Sequence, residues 1–414
     1  MTRRSLYFAA AALAAFLLLG CASESESLNG VASSKNAIDS YLKADEVIAD
    51  AEKRSWRPDK TTDEQKLAPA DLEQMEENEP SVAAAPVPQK TFKSGLTLPI
   101  IMYHQVRNDK SGDMIISKGK LEEELAYLKR NGYVSVSPEE WLAYCDGKLA
   151  LPERIVMLTF DDGWKSQYEN ALPLLNKYGY KGVFYVYPDF VGGSAAMNWD
   201  MIKKLARAGH IVGCHSMTHP RMAPAEPNES KKNYKQRLKE EIFASADRIA
   251  EKTGISVGDF CFPYGYYSDE IIAMLQSADY RSAVTVNAGK NAANSNPFAL
   301  SRYQVNQSTA LSTFASWLNE PYAEARLDSP GDGASNVSPG KECRLTLSSE
   351  LINVWKQGGE LTLRCNHEYP QFRQEGRTLV FKAPKDDIRV TCYLKVKARD
   401  GRTYRRSFFF TRKR

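Results

Sequence analysis

"RIVMLTFDDGW", residues 154–164, decides the reading of the fold. An apolar run ends in two adjacent aspartates, Asp161 and Asp162, with Gly163 behind them. A continuous apolar run of this kind is what a strand covered on both faces looks like. Two carboxylates side by side at its end repel one another and are costly to bury unless something neutralises them. Gly163 permits the sharp turn that follows.

Outward from this stretch, strands and helices alternate between about 95 and 320. Strand-like runs are "LPIIMYH" (98–104), "YVSVS" (133–137), "RIVMLTF" (154–160), "GVFYVY" (182–187), "HIVGCHS" (210–216), "DFCFPYG" (259–265), "RSAVTV" (281–286) and "ALSRYQV" (299–305). Helix-like runs between them include "KLEEELAYLKRNG", "SQYENALPLLNKYG", "WDMIKKLARAG", "KQRLKEEIFASADRIAEKTG" and "DEIIAMLQSADY". Several end in the glycine expected just past a helix C-terminus. Seven or so β/α units predict an α/β fold, a deformed (β/α) barrel over 94–325, with chemistry at the C-terminal ends of its strands.

Beyond residue 325 the texture changes. A Gly/Ser/Asp/Pro-rich stretch within 326–340 reads as a linker, and 341–414 alternates apolar and polar residues between turn signals. This predicts a C-terminal antiparallel β-sandwich. From 341 onward Lys and Arg outnumber Asp and Glu by 18 to 8. Such a domain suits an anionic polymer or a membrane surface, or is simply a solvated face with a basic tail.

The first 21 residues read as a secretion signal. Arg3 and Arg4 precede the apolar run "YFAAAALAAFLLL" (7–19), which is too short to span a bilayer well. "LLGC" at 18–21 is similar to a bacterial lipobox and implies lipidation at Cys21. Ala22 is not the aspartate that resembles an inner-membrane retention signal, so in a cell with two membranes the expected place is the outer membrane, facing the periplasm. Residues 22–93, rich in Ser, Glu, Ala and Pro, read as a flexible tether. The composition of the 414-residue chain, 43% hydrophobic and 26% charged, is that of an ordinary globular protein. Its net charge of +4 names no partner, and nothing points to nucleic acid. Seven cysteines show no zinc-finger spacing. The six after Cys21 are in a compartment that permits disulfides, with the pairing left open.

Three strand ends carry chemistry-bearing side chains: Asp161-Asp162, His215 and His219 of "HSMTH", and His104 closing "IIMYH". Three of the chain's five histidines are therefore at strand ends. Two histidines and one carboxylate leave an open position on a divalent cation, the catalytic pattern of zinc. Such a cation would neutralise one aspartate and leave its neighbour free as a base.

"TFDDG", "HSMTH" and "FPYG" (262–265) together resemble the motifs of the polysaccharide deacetylases, carbohydrate esterase family four, over roughly 97–320. The resemblance implies a deformed barrel that removes acetyl groups from sugars. It implies Asp161 as general base, Asp162, His215 and His219 as metal ligands, and the backbone N–H of Tyr264 in the oxyanion hole. The metal expected is Zn2+, with Co2+ or Ni2+ as alternatives. Two features depart from the family. The arginine usual before the third-motif proline is replaced by Phe260-Cys261-Phe262, and Arg302 is the candidate for orienting Asp161. The usual late I-x-L-x-H strand is missing, and no histidine lies between 220 and 366. His367 lies in the basic domain. Ile100–His104 fits the pattern at the other end of the domain, which makes His104 the candidate general acid and the motif order a circular permutation. That order resembles the exported poly-β-1,6-N-acetylglucosamine N-deacetylases. Trp164, Trp199, Pro263, Tyr266 and Tyr267 are candidates for a sugar cleft or for core packing, and Tyr187 joins them. The expected substrate is an N-acetylglucosamine polymer, either exopolysaccharide or peptidoglycan. A xylan-type O-acetyl esterase and an inactive, lipid-anchored glycan-binding protein remain as alternatives.

Overall fold

The computed structural model describes residues 95–385 and 387–412. The signal segment with Cys21, the tether and the last two basic residues lie outside the described residues. Among the described residues no helix is long and apolar enough to cross a membrane.

Seven parallel strands build the first domain: β1 (Ile100–Tyr103), β2 (Ile155–Phe160), β3 (Gly182–Val186), β4 (Ile211–Cys214), β5 (Asp259–Cys261), β6 (Ser282–Val284) and β7 (Tyr303–Gln304). Their order in the sheet is β6-β5-β4-β3-β2-β1-β7, with Val134–Ser135 added beside β2. The residues ahead of β7 turn back onto the far edge. Leu300 bridges Val284, with its N–H bonded to the Ala283 carbonyl at 3.0 Å and its carbonyl to Thr285 N at 2.8 Å. This contact curls the sheet into the expected deformed barrel. The first strand in the chain, β1, therefore sits between β2 and β7.

Side-chain parity explains why the strands read as continuous apolar runs. In β2, Val156, Leu158 and Phe160 belong to the outer core beneath the helices, whereas Ile155 and Met157 belong to the barrel interior. Ile100, Val183, Tyr185, Cys261, Val284 and Leu300 fill the same interior. Both faces are buried, so neither can be polar. The interior parity continues past the strand ends, and there it carries polar residues. Met157 and Thr159 lead to Asp161, Ile100 and Met102 lead to His104, Leu300 leads to Arg302, and Ile211 and Gly213 lead to His215.

Helices α1 (Lys118–Arg130), α2 (Pro138–Cys145), α3 (Leu172–Tyr178), α4 (Trp199–Arg207), α5 (Lys231–Lys239), α6 (Ser245–Thr253), α7 (Asp269–Ser277) and α8 (Leu311–Asn319) belong to this domain. The sequence reading missed α2 and α8. α2 is closed by a reciprocal capping box between Ser137 and Glu140, with Pro138 in its first turn, and it plugs Trp141 and Tyr144 into the interior cluster. The run 235–254, read as one helix, is α5 and α6 joined by a π-helical turn at Glu240–Ala244.

The C-terminal domain is a sandwich of two four-stranded sheets. One has the order β8 (Ala325–Ser329), β10 (Glu342–Leu347), β13 (Thr378–Lys382), β12 (Phe372–Glu375). The other has the order β9 (Ala334–Val337), β15 (Thr403–Arg412), β14 (Arg389–Lys397), β11 (Glu360–Cys365). The pairing is antiparallel throughout except for β9 on β15. Two corrections follow. The stretch 326–340 is not a bare linker, because β8 and β9 supply an edge to each sheet. A helix, α9 (Ser349–Lys356), interrupts the strands. A disulfide joins Cys365 to its cross-strand partner Cys392, while Cys145, Cys214, Cys261 and Cys343 are free thiols.

Strand β15 docks on the barrel. Ser407 N–H bonds the Ala288 carbonyl at 2.8 Å, Arg406 Nη1 donates to the Lys290 carbonyl at 3.0 Å, and Arg405 pairs with the buried Glu320. Phe409 packs its ring edge-on against Tyr267, 4.8 Å between centroids.

Gly213 tests the interior packing. A Cβ there would stand 2.5 Å from two ring carbons of Tyr185. Gly213→Ala is expected to destabilise the protein by about 1–3 kcal/mol through overpacking, read as a lower urea midpoint.

Candidate metal centre and active site

Three strand ends converge at the barrel mouth. Asp161 N–H is held by the Tyr103 carbonyl at 2.9 Å, in register with β1. The chain then reverses through two left-handed residues, Asp162 (φ 78°) and Gly163 (φ 80°). Gly163 packs so closely on Val186 that a Cβ would lie 3.1 Å from Cγ1 of that side chain. The reversal turns Asp162 away from Asp161. After β4, His215 continues the interior parity, and the loop closes on itself when His219 N–H bonds Ser216 Oγ at 3.0 Å. Ser216 (φ 66°), His219 (φ 61°) and Tyr264 (φ 54°) are also left-handed. The other non-glycine residues in that region, among those described, are asparagines and one aspartate, which tolerate it. Backbone strain is thus gathered at the three motifs.

The side chains meet as expected. Asp162 Oδ1 lies 3.3 Å from His215 Nε2 and 3.4 Å from His219 Nε2, and the two imidazole nitrogens are 3.1 Å apart. A tetrahedral cation with bonds of about 2.0–2.1 Å requires donor atoms roughly 3.3 Å apart. The donor set fits a zinc-like divalent cation in both spacing and chemistry. His215 Nδ1 donates to the Cys261 carbonyl at 2.8 Å, which leaves Nε2 as the ligand nitrogen. Trp164 Nε1 donates to Asp162 Oδ2 at 2.7 Å, leaving Oδ1 for the histidine pair.

Asp161 has a different partner. Arg302 grips it with two parallel bonds, Nη1 to Oδ1 and Nη2 to Oδ2, each 2.7 Å. Both residues are buried, Arg302 at 1% and Asp161 at 2% exposure. Burial alone would push the Asp161 carboxyl up, but the guanidinium outweighs it and holds the group below its ordinary range. Cys261 stands where the arginine of the family pattern is missing. Its thiol donates to Asp161 Oδ2 at 3.4 Å and accepts from Arg302 Nη2 at 3.2 Å. Asp161, His215 and Cys261 form a second cluster of metal-ligating groups. Arg302 already supplies a cation on that side, so the Asp162 side is the candidate metal centre.

His104 follows β1 at the level of Asp161, whose N–H bonds the carbonyl of the preceding Tyr103. Its Nδ1 is buried and has no hydrogen-bond partner among the described residues. The aromatic candidates divide. Tyr187 and Tyr264 face the centre, with ring centroids 5.1 and 4.6 Å from His219. Tyr267 is a core residue: it is fully buried, stacked on Phe262, with its hydroxyl accepting from Asn287 Nδ2 at 3.1 Å. Tyr266 is likewise buried, under the Arg389 guanidinium, and Pro263 is buried in the turn. Trp199 opens α4 and packs on the outer core. Trp164 serves Asp162 through its indole N–H.

Two supporting residues escaped sequence reading. Gln167 Nε2 donates to the carbonyls of His104 at 2.9 Å and Asp161 at 2.5 Å, tying β1 to β2 at the mouth. Glu241 accepts from the N–H groups of Met217 and Thr218, each at 2.9 Å, and holds the histidine loop. Both lie in π-helical turns, Gln167–Ala171 and Glu240–Ala244, where the shifted register aims them at the site. Glu241 had one weak signal, a buried acid within a helical run; Gln167 had none.

Removing the guanidinium strands a buried carboxylate. Arg302→Met is expected to cost about 3–5 kcal/mol, read from urea unfolding, with Arg302→Lys intermediate because lysine loses the paired donors.

Residues 148–283 match the polysaccharide deacetylase family model. The protein YxkH of Bacillus subtilis (strain 168), named for the same family, is 25% identical over 228 residues, which are 53% of this chain and 76% of that protein. The poly-β-1,6-N-acetyl-D-glucosamine N-deacetylase of Escherichia coli (strain K12) is 23% identical over 251 residues, so this chain spans only 36% of that enzyme's length. A Streptococcus pyogenes deacetylase solved with acetate superposes with a TM-score of 0.50 at 22% identity, covering 55% of this chain and all of the other. That likeness carries the fold. The family match and the three motifs, not that likeness, identify residues 148–283 as a polysaccharide deacetylase domain.

Proposed function

We propose that this chain is a metal-dependent hydrolase that removes N-acetyl groups from an N-acetylglucosamine polymer at the bacterial cell envelope. The observation that carries this reading is the placement of Asp161, gripped by Arg302, beside a candidate ligand set of Asp162, His215 and His219. A divalent cation held by that set, most simply Zn2+, would polarise the acetyl carbonyl and acidify water. Asp161, kept charged by Arg302, takes the proton of the attacking water. The Tyr264 N–H faces the developing oxyanion. His104, with an unengaged buried nitrogen, delivers a proton to the departing amine. The amide C–N bond breaks and acetate and a free amine leave. Tyr187 and Tyr264, with rings 5.1 and 4.6 Å from that of His219, would flank the acetyl group.

The relatives named as poly-β-1,6-N-acetylglucosamine deacetylases support that polymer as substrate, ahead of peptidoglycan. The signal segment and Cys21 support a lipid anchor at the outer membrane, and the Cys365–Cys392 disulfide supports an oxidising compartment. A basic face supports contact with an anionic polymer or membrane. On the outer side of β11 and β14, Arg364 stacks over Tyr393 at 4.8 Å, and Lys395 and Lys397 are exposed.

Acetate release from β-1,6-linked N-acetylglucosamine oligomers is expected to stop with a chelator and return with Zn2+. Asp161→Asn is expected to lower kcat by at least about 10²-fold while zinc still binds. Normal turnover in that variant would remove Asp161 as the base. Activity on acetylated xylan alone would favour an esterase, and metal-independent binding without turnover would favour a glycan-binding protein. Lys395→Glu with Lys397→Glu is expected to weaken retention on anionic vesicles or acidic glycan and flatten its salt dependence, leaving kcat on short oligomers unchanged.

A further inference from the structure

The family model matches only residues 148–283, within the barrel, yet one side chain of the C-terminal domain reaches the third motif. Arg389 opens β14 of the sandwich. Its Nη1 donates to the carbonyl of Tyr264, a contact across 125 residues of sequence. Its guanidinium lies 4.7 Å above the Tyr266 ring and 4.8 Å from that of Phe409, which itself meets Tyr266 edge-on at 6.1 Å. Tyr264 is the left-handed residue of this turn, at φ 54° and ψ 9°. Such a conformation on a bulky residue costs about 1–3 kcal/mol and persists only when its surroundings over-determine it. One side of Tyr264 is fixed by its ring on the metal-site His219. The other side, its carbonyl and the following Tyr266, is fixed by Arg389. A planar, charged donor can bond a carbonyl at its edge while stacking through its face, which lysine cannot do.

We propose that Arg389 is a positioning residue for the Tyr264 turn, so that the deacetylase site of this chain is completed by its C-terminal domain. The proposal rests on the reading above in which the Tyr264 N–H meets the oxyanion. A donor held by its neighbours acts only when a charge develops, so losing its support lowers kcat and spares substrate binding.

The test uses the full chain. Arg389→Met, Arg389→Lys and a control, Arg402→Met, which removes an exposed arginine paired with Asp400 in the same domain, are compared with the parent. Hydrogen exchange of residues 262–267 is expected to quicken about tenfold in Arg389→Met and less in Arg389→Lys, with the control unchanged. On N-acetylglucosamine oligomers kcat is expected to fall about tenfold or more in Arg389→Met with KM within about twofold, partly recovered in Arg389→Lys, and zinc affinity is expected to hold. Unchanged exchange in 262–267 overturns the proposal whether or not the parent is a deacetylase. A rise in KM at constant kcat would make Arg389 a substrate contact and overturn it as well. Global unfolding of both variants would make the residue a support of the domain junction and likewise overturn it. A parent without turnover, but with the expected exchange, would refute the deacetylase reading and leave the positioning contact standing.

Discussion

The site depends on keeping two neighbouring carboxylates ionised at the end of a buried strand. Water cannot do it there, so cations must. For Asp161 the chain supplies its own cation, the Arg302 guanidinium, bound through both oxygens in a nearly solvent-free setting. The desolvation of two charges is repaid only because the fork geometry satisfies both lone-pair directions and Thr159 Oγ1 accepts a further bond from Nη1 at 3.1 Å. For Asp162 the candidate cation is a divalent metal, because His215 and His219 both face it with Nε2. The left-handed step at Asp162 keeps the two solutions apart. Without it both carboxylates would compete for one cation, and neither a base nor a ligand would be defined.

From this constraint follows the rest of the mouth. The interior parity of β1, β2, β4 and β7 turns His104, Asp161, His215 and Arg302 to the same side; register sets His104 beside Asp161, while Arg302 stands opposite Ile100 and reaches Asp161 through its long side chain. β1 and β2 pair Tyr103 with Phe160, β7 and β1 pair Tyr303 with Ile101, and Gln167 locks the ends of β1 and β2 together. Space inside is limited, which is why Gly213 lies against Tyr185 and why a thiol, not a larger group, fills position 261 between Asp161 and Arg302. The interior is a packed core until its last layer, and only that layer is polar.

Much of this was legible because strand parity and adjacent charges are local signals. The apolar runs located all seven barrel strands, and the Asp-Asp-Gly and His-x3-His spacings pointed to side chains that the fold brings together. What was not legible depends on distant packing. Residues 326–340 look like a linker because Gly, Ser and Pro carry little propensity, yet β8 and β9 form there since open sheet edges recruit them. α9 was hidden among alternating segments despite its Ser348 cap and the glycines after it. "YGYY" offers three similar rings, and only the left-handed turn at Tyr264 decides that this ring faces His219 while Tyr266 and Tyr267 face the sandwich. Gln167 and Glu241 are aimed by π-helical turns, which leave no trace in the hydrophobic period.

The chain order of the motifs then becomes a matter of adjacency. A barrel strand is held by its two neighbours in the sheet, and nothing in those hydrogen bonds records where the strand lies in the chain. β1 can be first in sequence and still stand beside β2, so a histidine at residue 104 reaches the same layer that a late strand would supply. The same freedom explains the arginine. Once position 261 holds a cysteine, the guanidinium must enter from another strand end of the same parity, and β7, two strands from Asp161 across β1, presents Arg302 with a side chain long enough to reach. The chemistry constrains which atoms meet at the mouth; the sequence is free to choose which strand brings each of them.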